Sequence, residues 1–340
     1  MPRSLSRRDD LDAVFLPVPF EPATFGRLPL LGQNWTVRGS YRARRAVLDA
    51  LSRGPLDALF IHTQTVGVLS LDLVARIPTL LSLDATPRNY DEFATWYGDR
   101  VHTAPLEAGK RAVHPALVRR ARWITTWSDW ARRSVIADYG ANPDRVTVLH
   151  PGTTLADSPD PRLRGPRRPG KLRLLFVGGD FRRKGGDLLV EVFRSELADV
   201  AELHLVTSAE LPSTPGVTVR RGLRPHSAEL LALYADADVF VLPTRADCLA
   251  VVLGEAMAAG LPIVTTRVGA HPEAVEEDRS GHVLDVDDAR GLAARRRELA
   301  LDPARARAMG LRGREIGEER FDMDRNAAAS GDLLLRLARE

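Results

Sequence analysis

The stretch Val239 to Glu273 reads VFVLPTRADCLAVVLGEAMAAGLPIVTTRVGAHPE. Its opening VFVL is β-branched and aromatic without polar alternation, which predicts a strand covered on both faces. A loop carrying Asp247 follows, then an apolar helical pattern near 250–259 interrupted by Glu255, then a second apolar strand, PIVT, near 262–265. Strand, helix and strand in that order are the unit of a parallel α/β sheet.

The same alternation runs outward in both directions. Towards the C-terminus it continues with a helix near 289–300 and an amphipathic helix in 321–340. Towards the N-terminus, strands are predicted near 172–177, 203–207 and 217–220, with helices near 186–198 and 227–235. Residues 156–170, ADSPDPRLRGPRRPG, are rich in Pro, Gly and Arg and predict an interdomain linker. Before it, strands are expected near 14–17, 57–61, 79–83, 123–126 and 146–149, and helices near 41–52, 104–120 and 128–139. The expected domains are therefore 1–155 and 171–320, with the terminal helix able to cross back to the first. Ligands of open α/β sheets sit at the carboxyl ends of the strands.

The length of 340 residues suits two such domains. At 44% apolar and 27% charged residues the composition is that of an ordinary globular chain. One cysteine, Cys248, excludes an internal disulfide framework, and no Cys/His set has zinc spacing. No apolar run is long enough to span a bilayer, and the N-terminus lacks the apolar core of a signal peptide, so a cytoplasmic location is expected, with attachment to the inner membrane face left open. Arginines cluster at 42, 44 and 45, at 119, 120 and 122, and at 164, 167, 168 and 173. These read as solvated faces and linker. No nucleic-acid module accompanies the sequence pI of about 9.3, so no nucleic-acid partner is expected.

Two segments carry chemistry. In Leu174 to Gly186, LLFVGGDFRRKGG, a buried strand ends in Gly178 and Gly179, followed by Arg182, Arg183, Lys184 and a glycine pair that opens a helix. Glycines admit close approach of a ligand, and a helix N-terminus with added cations favours a diphosphate. The pattern is neither G-x-G-x-x-G nor a P-loop. In the second segment, Glu255 lies inside an apolar helix and needs a partner, which a ribose diol or an arginine would supply. The backbone around Ala250 and Val251 opens that helix and can receive phosphate. Asp247, eight residues before Glu255, lies where sugar hydroxyls would extend, or caps the helix. Cys248 reads as a packing residue beside Leu249.

Together these segments resemble the retaining family 4, or group 1, glycosyltransferases of the GT-B fold. The resemblance rests on Lys184-Gly185, on Asp247-x(7)-Glu255, on Glu255-Ala-Met-Ala-Ala-Gly-Leu-Pro262-Ile-Val264 and on Val268-Gly-Ala-His-Pro-Glu273. LLALYADAD at 230–238 and VTVLHPGTTL at 146–155 also fit, so the likeness covers about residues 120–300. It implies two Rossmann-like domains with parallel sheets facing a cleft. It further implies that Lys184 and Arg183 hold a donor diphosphate, that Glu255 holds the ribose and that Asp247 contacts the donor sugar.

Four positions depart from the family pattern. Gly179 stands where the family has arginine, which leaves that task to Arg182 or Arg183. Asp247 replaces the first glutamate. Asp84, in PTLLSLDATP, stands in place of the histidine that faces the transferred sugar, with His62 the alternative. Nothing in residues 1–13 resembles the family's first strand and Gly-rich loop, so either the first domain is built differently or the start of the chain is lost, and a missing central strand would leave two unpaired sheet edges. The aromatic segment 85–98, with Tyr90, Asp91 and Glu92, is a candidate lining for the acceptor site. Trp123, Trp127 and Trp130 read as packing residues.

The expected activity is transfer of a hexosyl group from a nucleoside-diphosphate sugar to a hydroxyl of a glycan, lipid or small molecule. Retention is implied by the resemblance alone. No cofactor or metal is expected, the nucleotide sugar being a co-substrate. Two other readings fit the departures: a non-catalytic sugar-nucleotide-binding protein with a degenerate or truncated site, and a GT-B sugar-nucleotide epimerase.

Overall fold

The computed structural model describes residues 2–19, 35–97, 104–163, 165 and 169–340. The chain divides into two compact units, one made of Met1–Glu92, Asp99–His150 and Asp324–Glu340, the other of Phe93–Gly98 and Pro151–Met323.

The first unit holds four strands, β1 (Leu59–His62), β2 (Thr79–Leu83), β3 (Trp123–Thr126) and β4 (Val146–Val148). They pair in parallel in the order β1-β2-β3-β4. Leu81, Leu83, Ile124, Leu117 and Val135 bury fully or nearly so around this sheet. Helix Asp129–Ala137 starts where its polar cap predicts: Ser128 Oγ accepts from the Ala131 amide at 3.1 Å. The C-terminal helix Met323–Ala338 packs in this unit, with Asn326 Nδ2 donating to the His150 carbonyl at 2.9 Å.

One expectation for this unit is corrected. Residues 14–17 form no strand; Val14 and Phe15 are exposed, and the neighbouring Pro17 and Pro19 bring no amide donors to a ladder. Among the described residues no strand precedes β1, and the four strands pair consecutively.

The second unit contains β5 (Leu172–Val177), β6 (Ala201–Val206), β7 (Val217–Arg220), β8 (Val239–Leu242), β9 (Ile263–Thr266) and β10 (Gly281–Leu284). All pair in parallel, in the order β10-β9-β8-β5-β6-β7. β8 and β9 are buried at every position, the outcome expected of unalternating apolar strands. The chain runs β5, β6, β7 to one edge, then returns so that β8 lies on the other side of β5. The sheet therefore reverses its winding between β5 and β8, the place where α/β sheets open a ligand crevice.

Strand β10 and helix Pro303–Arg320 were not anticipated. β10 is only four residues long, and the helix is so rich in arginine and glycine that its buried stripe (Ala306, Met309, Ile316) is diluted. Residues 156–163, from the stretch read as a linker, pack within the second unit. Pro161 is buried and Arg162 Nη2 donates to Glu318 at 2.9 Å, while Leu155, just before the stretch, is buried with its carbonyl accepting from Arg314 Nη1 at 3.4 Å. Arg164, Arg167 and Arg168 lie outside the described residues. No helix among the described residues is long and apolar enough to cross a membrane.

Candidate functional site

The loops that follow β5 and β8 meet at the winding reversal. After β5 the chain turns through Gly178 and Gly179 to helix Gly186–Val192, which continues as a π-helical turn, Phe193–Leu197. Gly185 precedes this helix with φ of 75°. A Cβ there would lie 1.9 Å from the Pro243 carbonyl oxygen, so the turn after β5 can approach the turn after β8 only with glycine at this position. The approach places Lys184 Nζ in an ion pair with Asp247 Oδ2, both side chains largely buried. A Cβ at Gly179 would meet nothing within 4 Å, so the position taken by arginine in the resembled family is sterically open here.

The two arginines before Lys184 behave differently. Arg182 is exposed. Arg183 is held: its Nε donates to Asp180 at 3.0 Å, its Nη1 donates to the Ala246 carbonyl at 2.7 Å and to Tyr97 Oη at 3.3 Å, and its guanidinium lies 4.7 Å from the Tyr97 ring centre. Arg245 is a further cation that the sequence reading missed. It donates to the Arg182 carbonyl and to Asp187, each at 2.6 Å, and to Asp287 at 2.7 Å. These partners hold its charge raised against burial and link the loops after β5 and β8 a second time.

Asp247 does not cap the helix it precedes. Helix Val251–Ala258 has Ala250 at its N-cap, without a side-chain cap bond. The Ala250 amide, expected to face phosphate, donates instead to His271 Nε2 at 3.3 Å. The amides of Val251 and Val252 come next, in the first turn, where a helix offers them no carbonyl. Val251 is exposed, while Cys248 and Leu249 are buried.

Glu255 has found neither an arginine nor isolation. Tyr234, from helix Ala228–Asp236, donates its hydroxyl to Glu255 Oε2 at 2.7 Å. Burial first, then the neighbouring carboxylate, pushes the Tyr234 phenol well above its usual range. The hydroxyl thus remains a donor, and Glu255, only half-buried, keeps its other oxygen for a second partner.

His271 is fully buried and was not singled out by the sequence. Its Nδ1 lies 2.9 Å from Thr265 Oγ1, whose proton goes to the Leu242 carbonyl at 2.9 Å. Its Nε2 lies 4.0 Å from Asp247 Oδ2. Burial, together with repulsion from Lys184, lowers its pKa to about 4 against the opposing pull of Asp247. A histidine among the small and apolar residues of Val268–Pro272 is the sign of it that the sequence offers.

In the first unit, Asp84 follows β2 and accepts from the Tyr90 hydroxyl at 3.0 Å. His62 ends β1, stacks on Trp127 at 5.3 Å, and has Nδ1 3.3 Å from Ser82 Oγ. The structure thus brings Asp84 and Tyr90 together. Trp123 packs as expected, donating to Thr147 at 3.0 Å under the Arg336 guanidinium.

Among the described residues one group has the make-up of a metal site. Glu277, Asp278 and His282 place a ligand atom each within 4.8 Å of one another. Arg295 and Arg305 approach the Asp278 carboxylate at 3.7 and 3.4 Å, so two guanidinium groups already balance that charge.

Comparison with known proteins agrees with this geometry. Residues 171–302 match the family described as Glycosyl transferases group 1. The chain is 32% identical over 294 residues to a D-inositol 3-phosphate glycosyltransferase of Pseudarthrobacter chlorophenolicus, covering 78% of this chain and 69% of that protein. Among solved structures it resembles a sucrose-phosphate synthase from Thermosynechococcus elongatus with a TM-score of 0.71 at 20% identity, over 97% of this chain and 86% of the other. It also resembles Anabaena HepE, solved in complex with UDP-glucose, with a TM-score of 0.66 at 15% identity, over 87% and 82% of the two chains. At these identities the structural likeness speaks for the fold alone.

Proposed function

Since the chain belongs to the group 1 glycosyltransferases and has their two-domain GT-B fold, we propose that it transfers a hexosyl group from a nucleoside-diphosphate sugar to a hydroxyl acceptor, with retention of configuration as in family 4. The observation that carries this reading is the ion pair of Lys184 with Asp247, made by the loops after β5 and β8 where the sheet reverses its winding. Polyphosphate and sugar ligands are recognised at such a place by a cation, helix-opening amides and a carboxylate for hydroxyl groups.

In this proposal the nucleoside ribose takes the free oxygen of Glu255, whose other oxygen is fixed by Tyr234. The diphosphate faces Lys184, Arg182 and the amides of Val251 and Val252. An ammonium has three protons to donate, so Lys184 can keep Asp247 and still bind phosphate. Asp247 accepts from hydroxyls of the donor sugar. In the reaction the bond from the anomeric carbon to the diphosphate oxygen breaks and a bond to the acceptor oxygen forms. The acceptor proton passes to the departing phosphate, so no separate base is needed. Fixed positive charge at the leaving group is the main source of acceleration in such a site. With that charge supplied by side chains, transfer proceeds without a divalent ion.

The acceptor-side residues proposed are Asp84, Tyr90 and His62, and the acceptor is a glycan, lipid or small polyol. HepE binds UDP-glucose, which makes a uridine donor the first to test.

Calorimetric titration with UDP, GDP, ADP and TDP and their glucose or mannose conjugates tests the donor site, with and without magnesium. One base standing out, its binding lost in Glu255→Ala, supports the reading. No binding at millimolar concentration refutes it.

A further inference from the structure

The turn Val268–His271 grips the loop that carries Asp247 at three consecutive points. Gly269, with φ of 51°, comes so close that a Cβ would lie 2.3 Å from the Asp247 carbonyl oxygen and 2.5 Å from that of Cys248. The Ala270 amide donates to the Cys248 carbonyl at 2.8 Å. The His271 ring then receives the Ala250 amide at 3.3 Å.

The bonding also fixes the tautomer. An amide proton pointing at Nε2 requires a lone pair there, so the ring proton sits on Nδ1. Nδ1–H donates to Thr265 Oγ1, and Thr265 donates its own proton to the Leu242 carbonyl at the end of β8. Every polar atom of the chain Leu242, Thr265, His271, Ala250 is paired, and each link has one direction only. The chain ties the ends of β8 and β9 to the loop between Asp247 and Val251. The same ring lies 4.0 Å from the Asp247 carboxylate.

We infer that His271 is a positioning residue: a buried, neutral imidazole that fixes the Asp247–Val251 loop, and so sets where Asp247 meets the transferred sugar and where the Val251 and Val252 amides face its diphosphate. This rests on the donor reading above. It predicts that the imidazole matters more for the sugar part of the donor than for the nucleoside, which Glu255 holds from another turn of the helix.

The test compares His271→Phe, which keeps a ring and removes both hydrogen bonds, with His271→Gln, which restores an acceptor for the Ala250 amide. For each, the affinities for UDP and UDP-glucose (or GDP and GDP-mannose, if guanosine is the base bound) are measured by calorimetry, with kcat of transfer and the melting temperature. In His271→Phe the diphosphate, which Glu255 and Lys184 still hold, should lose less affinity than its sugar conjugate. The ratio of conjugate to diphosphate affinity, and kcat, should each fall about tenfold or more, about 1.4 kcal/mol. His271→Gln should recover most of both. An unchanged ratio and kcat with only a lower melting temperature would overturn the inference. If His271→Phe does not fold, Thr265→Val serves instead, since it removes the acceptor of Nδ1–H with little change of shape; an unchanged ratio there also overturns it. Wild-type protein that binds no nucleotide would remove the donor reading and this inference together, whereas binding with an unaltered ratio in the variants removes this inference alone.

Discussion

Lys184 and Asp247 are 63 residues apart in the chain and form one ion pair, with 14% and 12% of their side chains exposed. Each comes from the loop after one of two neighbouring strands, β5 and β8. The pair is therefore a direct product of the strand order.

Replacing Lys184 with Met should cost more in catalysis than in stability. It leaves Asp247 without its cation and withdraws charge from the leaving group, so kcat should fall by about 10²- to 10³-fold. Donor turnover followed by release of free nucleoside diphosphate measures this. Activity within threefold of wild type would contradict the proposed role.

Tyr234→Phe removes one hydroxyl from a fully enclosed position. The lost bond to a carboxylate is worth about 1.5–3 kcal/mol. The variant should melt several degrees lower and bind nucleoside diphosphate about tenfold more weakly, because Glu255 loses the contact that orients it. Calorimetry on the refolded variant distinguishes the two effects; weaker folding with unaltered affinity would show that Glu255 needs no orienting partner.

Acid should weaken the second unit through His271. Its folded pKa of about 4 lies below the ordinary 6.5, so the unfolded chain binds a proton first as pH falls. Its contribution to stability is complete above pH 6.5 and is lost as the pH drops towards 4, at about 1.4 kcal/mol per pH unit. Urea unfolding of wild type and His271→Gln at pH 7, 6 and 5 measures the difference. The two curves should converge as the pH falls, and parallel curves would count against a buried neutral ring.

Gly185→Ala should be severely destabilising, by more than about 2 kcal/mol. Positive φ and a Cβ 1.9 Å from the Pro243 carbonyl oxygen act together at this residue. Gly179→Ala, with nothing within 4 Å of its Cβ, should be close to neutral. Thermal melting of the pair checks both, and equal losses would contradict the steric argument.

Much of this architecture is legible in the sequence because buried parallel strands are written as unbroken apolar runs. VFVL, PIVT and LRLLFV need no partner to be recognised. Lys184, Asp247 and Glu255 stand out for the opposite reason, as charges set among glycines or apolar residues. What escaped is structure whose signal lies elsewhere in the chain. β10 is short and takes its identity from β9. Helix Pro303–Arg320 hides its buried stripe among arginines that pair with Glu276 and Glu318. His271 looks like any loop histidine until the fold places Thr265 and Ala250 on either side of it. The strand read at VFLP shows the reverse error, since an apolar run without a neighbour to pair with remains irregular.

The return of the chain to β5 also has a kinetic meaning. β5, β6 and β7 are consecutive and can zip together early, whereas β8 must close a loop of tens of residues before it pairs. A partly folded molecule with only the first three strands would hold Lys184 but no ordered Asp247 opposite it. Nucleotide has little to bind in such an intermediate. Added to a refolding mixture, it should therefore slow unfolding of the finished protein while leaving the early, ligand-blind phase of folding unaccelerated.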